Sequence, residues 1–450
     1  MGVGRAPGGR GGTVTRVASA ASRPVAALLE EVVRLSRRFG ADPEYARGGG
    51  GNSSGKSDGV VYIKPSGRSL AALSVEALMP LRMEPLLELL GDGADAPATP
   101  GTDEIMRVAL RARVNAEDDR RPSVECLFHA LLPDPIVLHT HPTVVNALTC
   151  ARDGERIATE ILGDDVLWVP YVDPGLPLAR RIAAERRAYQ VRTAAAAPRA
   201  ILLQNHGMIL AGNSADEVTV ASERIVEAVR GRLAAAASEP AASILQAPTM
   251  DSAIAPFPAG AEPILETVLS QTLADGDRPK FVLFDDSLAA LEIASTVAGR
   301  ELVQGGPLTP DQIVYAGSWP LWLDPMGSWD AGTIVAALRA RLEAHVAATG
   351  ATPSVVVAAG LGLFIAVDTE PFAATAREVI LDAFRIAQGA ARLGGSRVLA
   401  PDERRFIEEW EAEAYRRGVA SGTPNGRQGN VSNPPQSTRS RRRRPWQIQT

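Results

Sequence analysis

Three of the five histidines stand at the ends of apolar runs, in Ile136-Val-Leu-His139-Thr-His141-Pro142 and Ile201-Leu-Leu-Gln-Asn205-His206-Gly207. Side chains two apart on a strand share a face, so His139 and His141 can offer two imidazoles to one ion while Thr140 turns away. His206, at the end of a second strand, completes a three-nitrogen set and leaves a coordination position open, as catalytic zinc requires. A lone histidine in such a place would be a packed core residue; the pair plus a third reads as a metal site. Upstream stands Arg121-Pro-Ser123-Val-Glu125-Cys-Leu-Phe-His129. Pro122 and Ser123 mark a helix start and put Glu125 in its first turn, where the helix dipole favours a carboxylate in any case. Its nearness to the histidine strand points instead to acid/base work, removing a proton from a carbon next to a metal-bound carbonyl. His129, on the same helix face as Glu125, reads as core rather than as a fourth ligand.

The stretch Gly48-Gly-Gly-Gly-Asn52-Ser-Ser54-Gly-Lys56-Ser57 satisfies the P-loop pattern from Gly50 to Ser57, and Phe281-Val-Leu-Phe-Asp285-Asp286 imitates a Walker B strand. No helix pattern follows the glycines; the strand-like Val60-Val-Tyr-Ile63 does, so the dipole needed for a nucleotide phosphate is missing and the match is a decoy. The backbone amides and hydroxyls of such a loop can still bind a phosphate, and Lys64-Pro-Ser66-Gly67 adds a second polar turn beside it.

These groups must be positioned by a large α/β fold. Short β-branched or leucine runs bounded by Gly, Pro or Asn alternate with alanine-rich helical patterns, beginning with a helix from Pro24 to Gly40. The 450 residues, 45% of them hydrophobic, suffice for two domains. The expected layout is a glycine- and arginine-bearing disordered segment over 1–23, a catalytic domain over 24–232, an Ala/Ser/Pro linker over 233–260, a second α/β domain over 261–417, and a disordered tail over 418–450. That tail carries a run of arginines at 441–444, a solvated charge block in which nucleic-acid binding is the minor reading. A net charge of −5 gives the folded part no nucleic-acid footprint, and two cysteines are too few for a disulfide framework. The N-terminus lacks the apolar core of a signal peptide and no run is long enough to span a membrane, so a soluble cytoplasmic protein is expected.

An internal repeat appears when Ile201 to Arg230 is laid over Val356 to Arg385 with Gly207 on Gly362; Glu223, Ala228 and Arg230 then fall on Glu378, Ala383 and Arg385. Duplication is implied. In that frame Leu361 replaces His206, and the counterpart of the His139-Thr-His141 strand is expected near Ile313-Val-Tyr-Ala316-Gly-Ser318, so the second copy carries no metal ligands.

Gly50-Gly-Asn52-Ser-Ser54, Lys64-Pro-Ser66-Gly67, Pro122-Ser123-x-Glu125, His139-Thr-His141-Pro142 and Asn205-His206-Gly207, in this order, resemble the class II aldolase/adducin family over about residues 24–232. With Val169-Pro-Tyr171-Val-Asp-Pro-Gly175 and the second-domain segments, the chain is more narrowly similar to the aldolase part of bifunctional rhamnulose-1-phosphate aldolase/dehydrogenases, to about residue 417; the dehydrogenase part is not expected. The resemblance implies a three-layer catalytic domain in which His139, His141 and His206 bind zinc or another divalent cation and Glu125 is the acid/base. It further implies that Asn52, Ser66, Gly67 and Ser123 hold a substrate phosphate, that Glu160 serves as proton donor from a neighbouring subunit of a homo-oligomer, and that a ketose phosphate is cleaved through an enediolate. Val124 stands where phosphate-binding relatives often have a second serine. Within the family, an epimerase, a decarboxylase and a non-catalytic adducin-like interaction module are the alternatives.

Overall fold

The computed structural model describes residues 24–91, 102–238, 257–325 and 331–420. Seven strands form the first sheet: β1 (Asn52–Ser57), β2 (Val60–Ile63), β3 (Met79–Arg82), β4 (Ile136–Thr140), β5 (Val166–Val169), β6 (Ala200–Leu203) and β7 (Gly207–Gly212), in the order β3-β2-β1-β4-β7-β6-β5. Alternation along the strands divides their side chains between two cores. Ile136 and Leu138 of β4 pack with Met208 and Leu210 of β7 against helices Val25–Gly40, Thr143–Thr149 and Ala215–Ser238. Val137, Ile201 and Ile209 face helices Met83–Leu90, Cys126–Leu131 and Leu176–Thr193 on the other side. Helices therefore cover both faces in three layers.

A second sheet holds β8 (Phe281–Asp285), β9 (Leu321–Leu323), β10 (Val355–Ala358) and β11 (Gly362–Val367) in the order β8-β11-β10-β9. Its neighbours run as in the β4-β7-β6-β5 part of the first sheet: two antiparallel pairings, then one parallel. Leu203 opposite Gly207 matches Ala358 opposite Gly362, and Thr140 opposite Met208 matches Asp285 opposite Leu363. The counterpart of the histidine strand is thus β8, not Ile313 to Ser318. Residues Gln312–Ala316 form one π-helical turn, all of it buried. A buried apolar run has no polar face to reveal its period, which is why this turn imitates a strand in sequence.

The halves are packed together. Helix Glu370–Arg392 crosses helix Thr143–Thr149 so closely that a Cβ on Gly389 would come 2.4 Å from Ala147 Cβ. Ala390 and Leu393 enter the first domain's core, and Cys150 enters the second's. Beside this crossing, Arg47 pairs with Asp382 at 2.8 Å while Thr143 donates to the same carboxylate.

Several expected boundaries move. Helix Ala215–Ser238 runs past residue 232, and helix Glu411–Ala420 continues through 417. The expected disordered segment 1–23, residues 239–256 of the linker and residues 421–450 of the tail lie outside the described residues. The P-loop match is β1 itself; Lys56 is buried with its amine donating to the His129 carbonyl. Among the described residues, no helix is long and apolar enough to cross a membrane.

Candidate metal centre and substrate cleft

β4 ends at Thr140, and β7 beside it starts directly after His206, so the three imidazoles converge by strand pairing. One ligand nitrogen from each of His139, His141 and His206 lies within 4.8 Å of the others. Gly207 makes room: a Cβ there would stand 2.7 Å from His141 Cδ2 and 2.5 Å from the Thr140 carbonyl oxygen. Asn205, held at φ +54, turns the chain to aim His206. Its side-chain N–H groups donate to the backbone carbonyls of Leu308 (2.8 Å) and Arg397 (2.7 Å), and its oxygen accepts from the Arg397 guanidinium.

The rings are oriented for ligation. His139 Nδ1 donates to the Met208 carbonyl at 2.9 Å, and His141 Nδ1 faces the Asp311 carboxylate at 2.6 Å, so both present Nε2 inward. Burial pushes His139 down to about 4 and His206 down to about 3, which leaves those rings in the neutral, ligating form at neutral pH. The Nε2 atoms of His139 and His141 stand 3.0 Å apart. Two lone pairs at that distance repel, so a positive charge must sit on or between them. A proton satisfies two nitrogens; a cation satisfies all three, and the donor set fits one.

Glu125 is poised over this cluster, with Oε1 at 3.6 Å from His139 Nε2 and 3.5 Å from His206 Nε2. Its helix begins at Cys126, later than Pro122 and Ser123 led us to expect; Glu125 is the preceding residue, and its side chain makes no cap. Released from the first turn, the carboxylate reaches the histidines. Burial acts to raise it, but the imidazoles and Arg416 outweigh burial and hold it below the ordinary carboxylate range. Its Oε2 accepts from the Asn52 amide, whose oxygen accepts in turn from His129 Nε2, while the Ser54 hydroxyl meets His129 Nδ1 at 2.7 Å. His129 is therefore buried but not inert, since the relay from Ser54 through Asn52 fixes one carboxylate oxygen.

The cleft above Glu125 is lined by Asn52, Lys64, Ser66, Gly67, Ser123 and Val124 from the first domain. Pro310, Asp311, Ala412 and Arg416 of the second domain line it too. The Asn52, Ser66, Gly67 and Ser123 group thus lies in the same cleft as Glu125, His141 and His206. Glu160 lies elsewhere, exposed on helix Gly154–Leu162 and paired with Arg156 at 3.3 Å. The sequence reading missed Asp311 and Arg416, which come from 170 and 275 positions beyond His141 and carry no local pattern. Burial and the charges of His141 and Arg416 pull oppositely on Asp311; the charges win and hold its carboxyl far below the usual range.

Comparison with known proteins bears on residues 30–233, which match the model of the class II aldolase and adducin N-terminal domain. The chain is 24% identical over 421 residues to a Bacillus subtilis protein named uncharacterized oxidoreductase YuxG, spanning 87% of this chain and 58% of that one. A Haemophilus influenzae protein named 3-oxo-tetronate 4-phosphate decarboxylase is 29% identical over 218 residues, covering 45% of this chain and 86% of its own. A solved N-terminal class II aldolase domain of a conserved protein from Thermoplasma acidophilum is 25% identical, covers 48% of this chain and 97% of its own, and superposes with a TM-score of 0.40. The converging histidines and the adjoining carboxylate all fall within residues 30–233, the stretch that matches the class II aldolase and adducin N-terminal domain.

Proposed function

We propose that the protein is a metal-dependent aldehyde-lyase that cleaves a ketose phosphate, rhamnulose 1-phosphate-like, into a ketone phosphate and an aldehyde. The observation that carries this reading is the placement of Glu125 3.5–3.6 Å from two of three converging imidazoles. Zinc or another divalent cation held by His139, His141 and His206 supplies Lewis-acid stabilisation for charge developing on the substrate's carbonyl and hydroxyl oxygens. Glu125 exchanges the proton at the carbon next to that carbonyl, with Asn52 holding the oxygen not in use. Ser66, Gly67, Ser123 and Asn52 bind the phosphate; Val124 supplies no hydroxyl there. Glu160 serves the aldehyde oxygen of a neighbouring subunit in a homo-oligomer, a role consistent with its exposure on the outer face of its own chain.

The equal strand order of the two sheets supports reading the chain as a duplicated pair, 24–232 and 261–417. Phe284, Asp286 and Leu361 then take the positions of His139, His141 and His206, and the second copy ligates no metal of its own. A second reading, decarboxylation of a phosphorylated keto acid, is favoured by the name of the Haemophilus relative, and uses the same proton chemistry. An adducin-like scaffold would have no use for a carboxylate clamped by the Asn52 relay.

The test is a panel of ketose 1-phosphates given to the purified full chain, with and without chelator, monitoring dihydroxyacetone phosphate. Chelator-sensitive release is expected. Release of carbon dioxide from a keto-acid phosphate, with no ketose cleaved, replaces the first reading by the second. Metal-free protein that turns over either substrate ends both.

A further inference from the structure

Helix Glu411–Ala420 lies beyond the matched domain, yet it rests on that domain's Lys64–Gly67 turn. A Cβ on Gly67 would meet Val419 Cγ1 at 3.0 Å. Arg416, three residues before Val419, is on the same helix face and lines the cleft beside Lys64, Ser66, Ser123 and Glu125. The helix is anchored twice. Arg121 donates to Glu411 and sets its guanidinium 4.7 Å from the Tyr415 ring centroid, while Arg416 Nη2 donates to Asp311 Oδ1 at 2.9 Å.

Arg416 and the amine of Lys64 thus share one cleft. Lys64 is buried, its amine donating to the carbonyls of Gly49 (3.2 Å) and Arg68 (2.6 Å), and burial together with the Arg416 charge pushes it down to about 7. Arg416 opposes the charged form of Lys64, and an anion set between them would favour it. The hydroxyls of Ser66 and Ser123 on the same cleft wall add neutral donors. An arginine fork matches phosphate oxygens in geometry as well as charge.

We propose that Arg416 is a substrate-recognition residue contributed by the second domain, holding the substrate's phosphate against the Lys64–Gly67 turn. The second domain is by this account part of the binding site, and Asp311 joins its two ends, touching His141 on one side and Arg416 on the other. The inference rests on the ketose-phosphate reading in one respect, that a phosphate enters this cleft.

Calorimetric titration of inorganic phosphate, and separately of acetate, into the zinc-loaded full chain tests it without turnover. The wild type is expected to bind phosphate more tightly than acetate. Arg416→Met should raise the phosphate Kd at least tenfold with zinc content unchanged, and Arg416→Lys should raise it by a smaller factor of about three, since it keeps charge without the fork. If Arg416→Met does not fold, the lysine variant carries the test. A phosphate Kd within twofold of wild type in the variants, no phosphate binding in the wild type, or acetate binding as tight as phosphate overturns the proposal. The two readings separate cleanly. Phosphate binding that depends on Arg416 in a protein that cleaves no ketose phosphate keeps this inference and removes the reaction; ketose cleavage with phosphate binding indifferent to Arg416 does the reverse.

Discussion

The Asp311 carboxylate of the second domain lies 2.6 Å from Nδ1 of His141 in the first. A carboxylate in that position fixes the ring's tautomer and raises the basicity of the opposite nitrogen. Asp311→Asn keeps an acceptor but removes the charge. Its zinc Kd, measured by competition with a chelating dye, should rise about 10–100-fold, the usual cost of losing such a partner. Unchanged zinc affinity would show that His141 needs no help from the second domain.

Glu125→Gln should bind zinc normally and lose about 10²–10⁴ in kcat, the usual worth of a positioned acid/base. His129→Phe leaves Glu125 in place but removes the anchor of the Asn52 amide, so it should also keep zinc while losing less turnover than Glu125→Gln. His206→Ala should lose the ion. Metal analysis beside steady-state kinetics separates the three, and a fully active Glu125→Gln protein would remove the carboxylate from the chemistry.

Lys64 gives a signature in the stability profile. Its folded value is about 7, against an ordinary value of 10.5 in the unfolded chain. Between those limits the unfolded state holds a proton that the folded state has released, so stability rises with pH across the window by up to ~1.4 kcal/mol per unit. Below pH 7 both states are protonated and the slope from this group vanishes. Burial holds Lys56 at about 7 as well, so urea denaturation from pH 7 to 10 should show a steep slope in wild type that is reduced, not abolished, in Lys64→Met; equal slopes in the two proteins would refute a neutral buried amine at Lys64.

Two glycines in helices should respond oppositely to alanine. A Cβ on Gly231 would have nothing within 4 Å of it, so Gly231→Ala gains helix propensity, up to ~1 kcal/mol. At Gly389 the same methyl would sit 2.4 Å from Ala147 Cβ, and overpacking costing ~1–3 kcal/mol exceeds that gain. Thermal unfolding should therefore show a raised Tm for Gly231→Ala and a lowered one for Gly389→Ala. A rise in both would mean that the crossing of the two helices is loose.

Sequence reasoning reached what local pattern can carry. The histidines were legible because a strand repeats every two residues, and the glycine-rich match to a nucleotide loop was dismissed because the strand-like Val60-Val-Tyr-Ile63 follows it where a helix is needed. The start of the Glu125 helix was misplaced by three or four residues, since Pro122 and Ser123 are sound start signals that the chain spends on an extended turn. Ile313 to Ser318 misled because burial on every side erases periodicity. Asp311 and Arg416 were invisible for a different reason: their place beside His141 and Lys64 is made by docking of helices Glu370–Arg392 and Glu411–Ala420, and no spacing along the chain encodes it.

Asn205 shows what that docking entails. The left-handed turn that aims His206 is gripped by Leu308 and Arg397, so the aim of one imidazole is set by carbonyls and a guanidinium from the other half of the chain. Transplanting residues 24–238 onto a foreign partner would carry all three rings and the backbone bonds from Asn205 to Thr149 and from His206 to Leu203, but would strip the Asn205 side chain of its three partners. The path of the backbone at residues 308 and 397, rather than the identity of the side chains there, is what holds that turn, while the Arg397 guanidinium adds a contact that depends on its side chain.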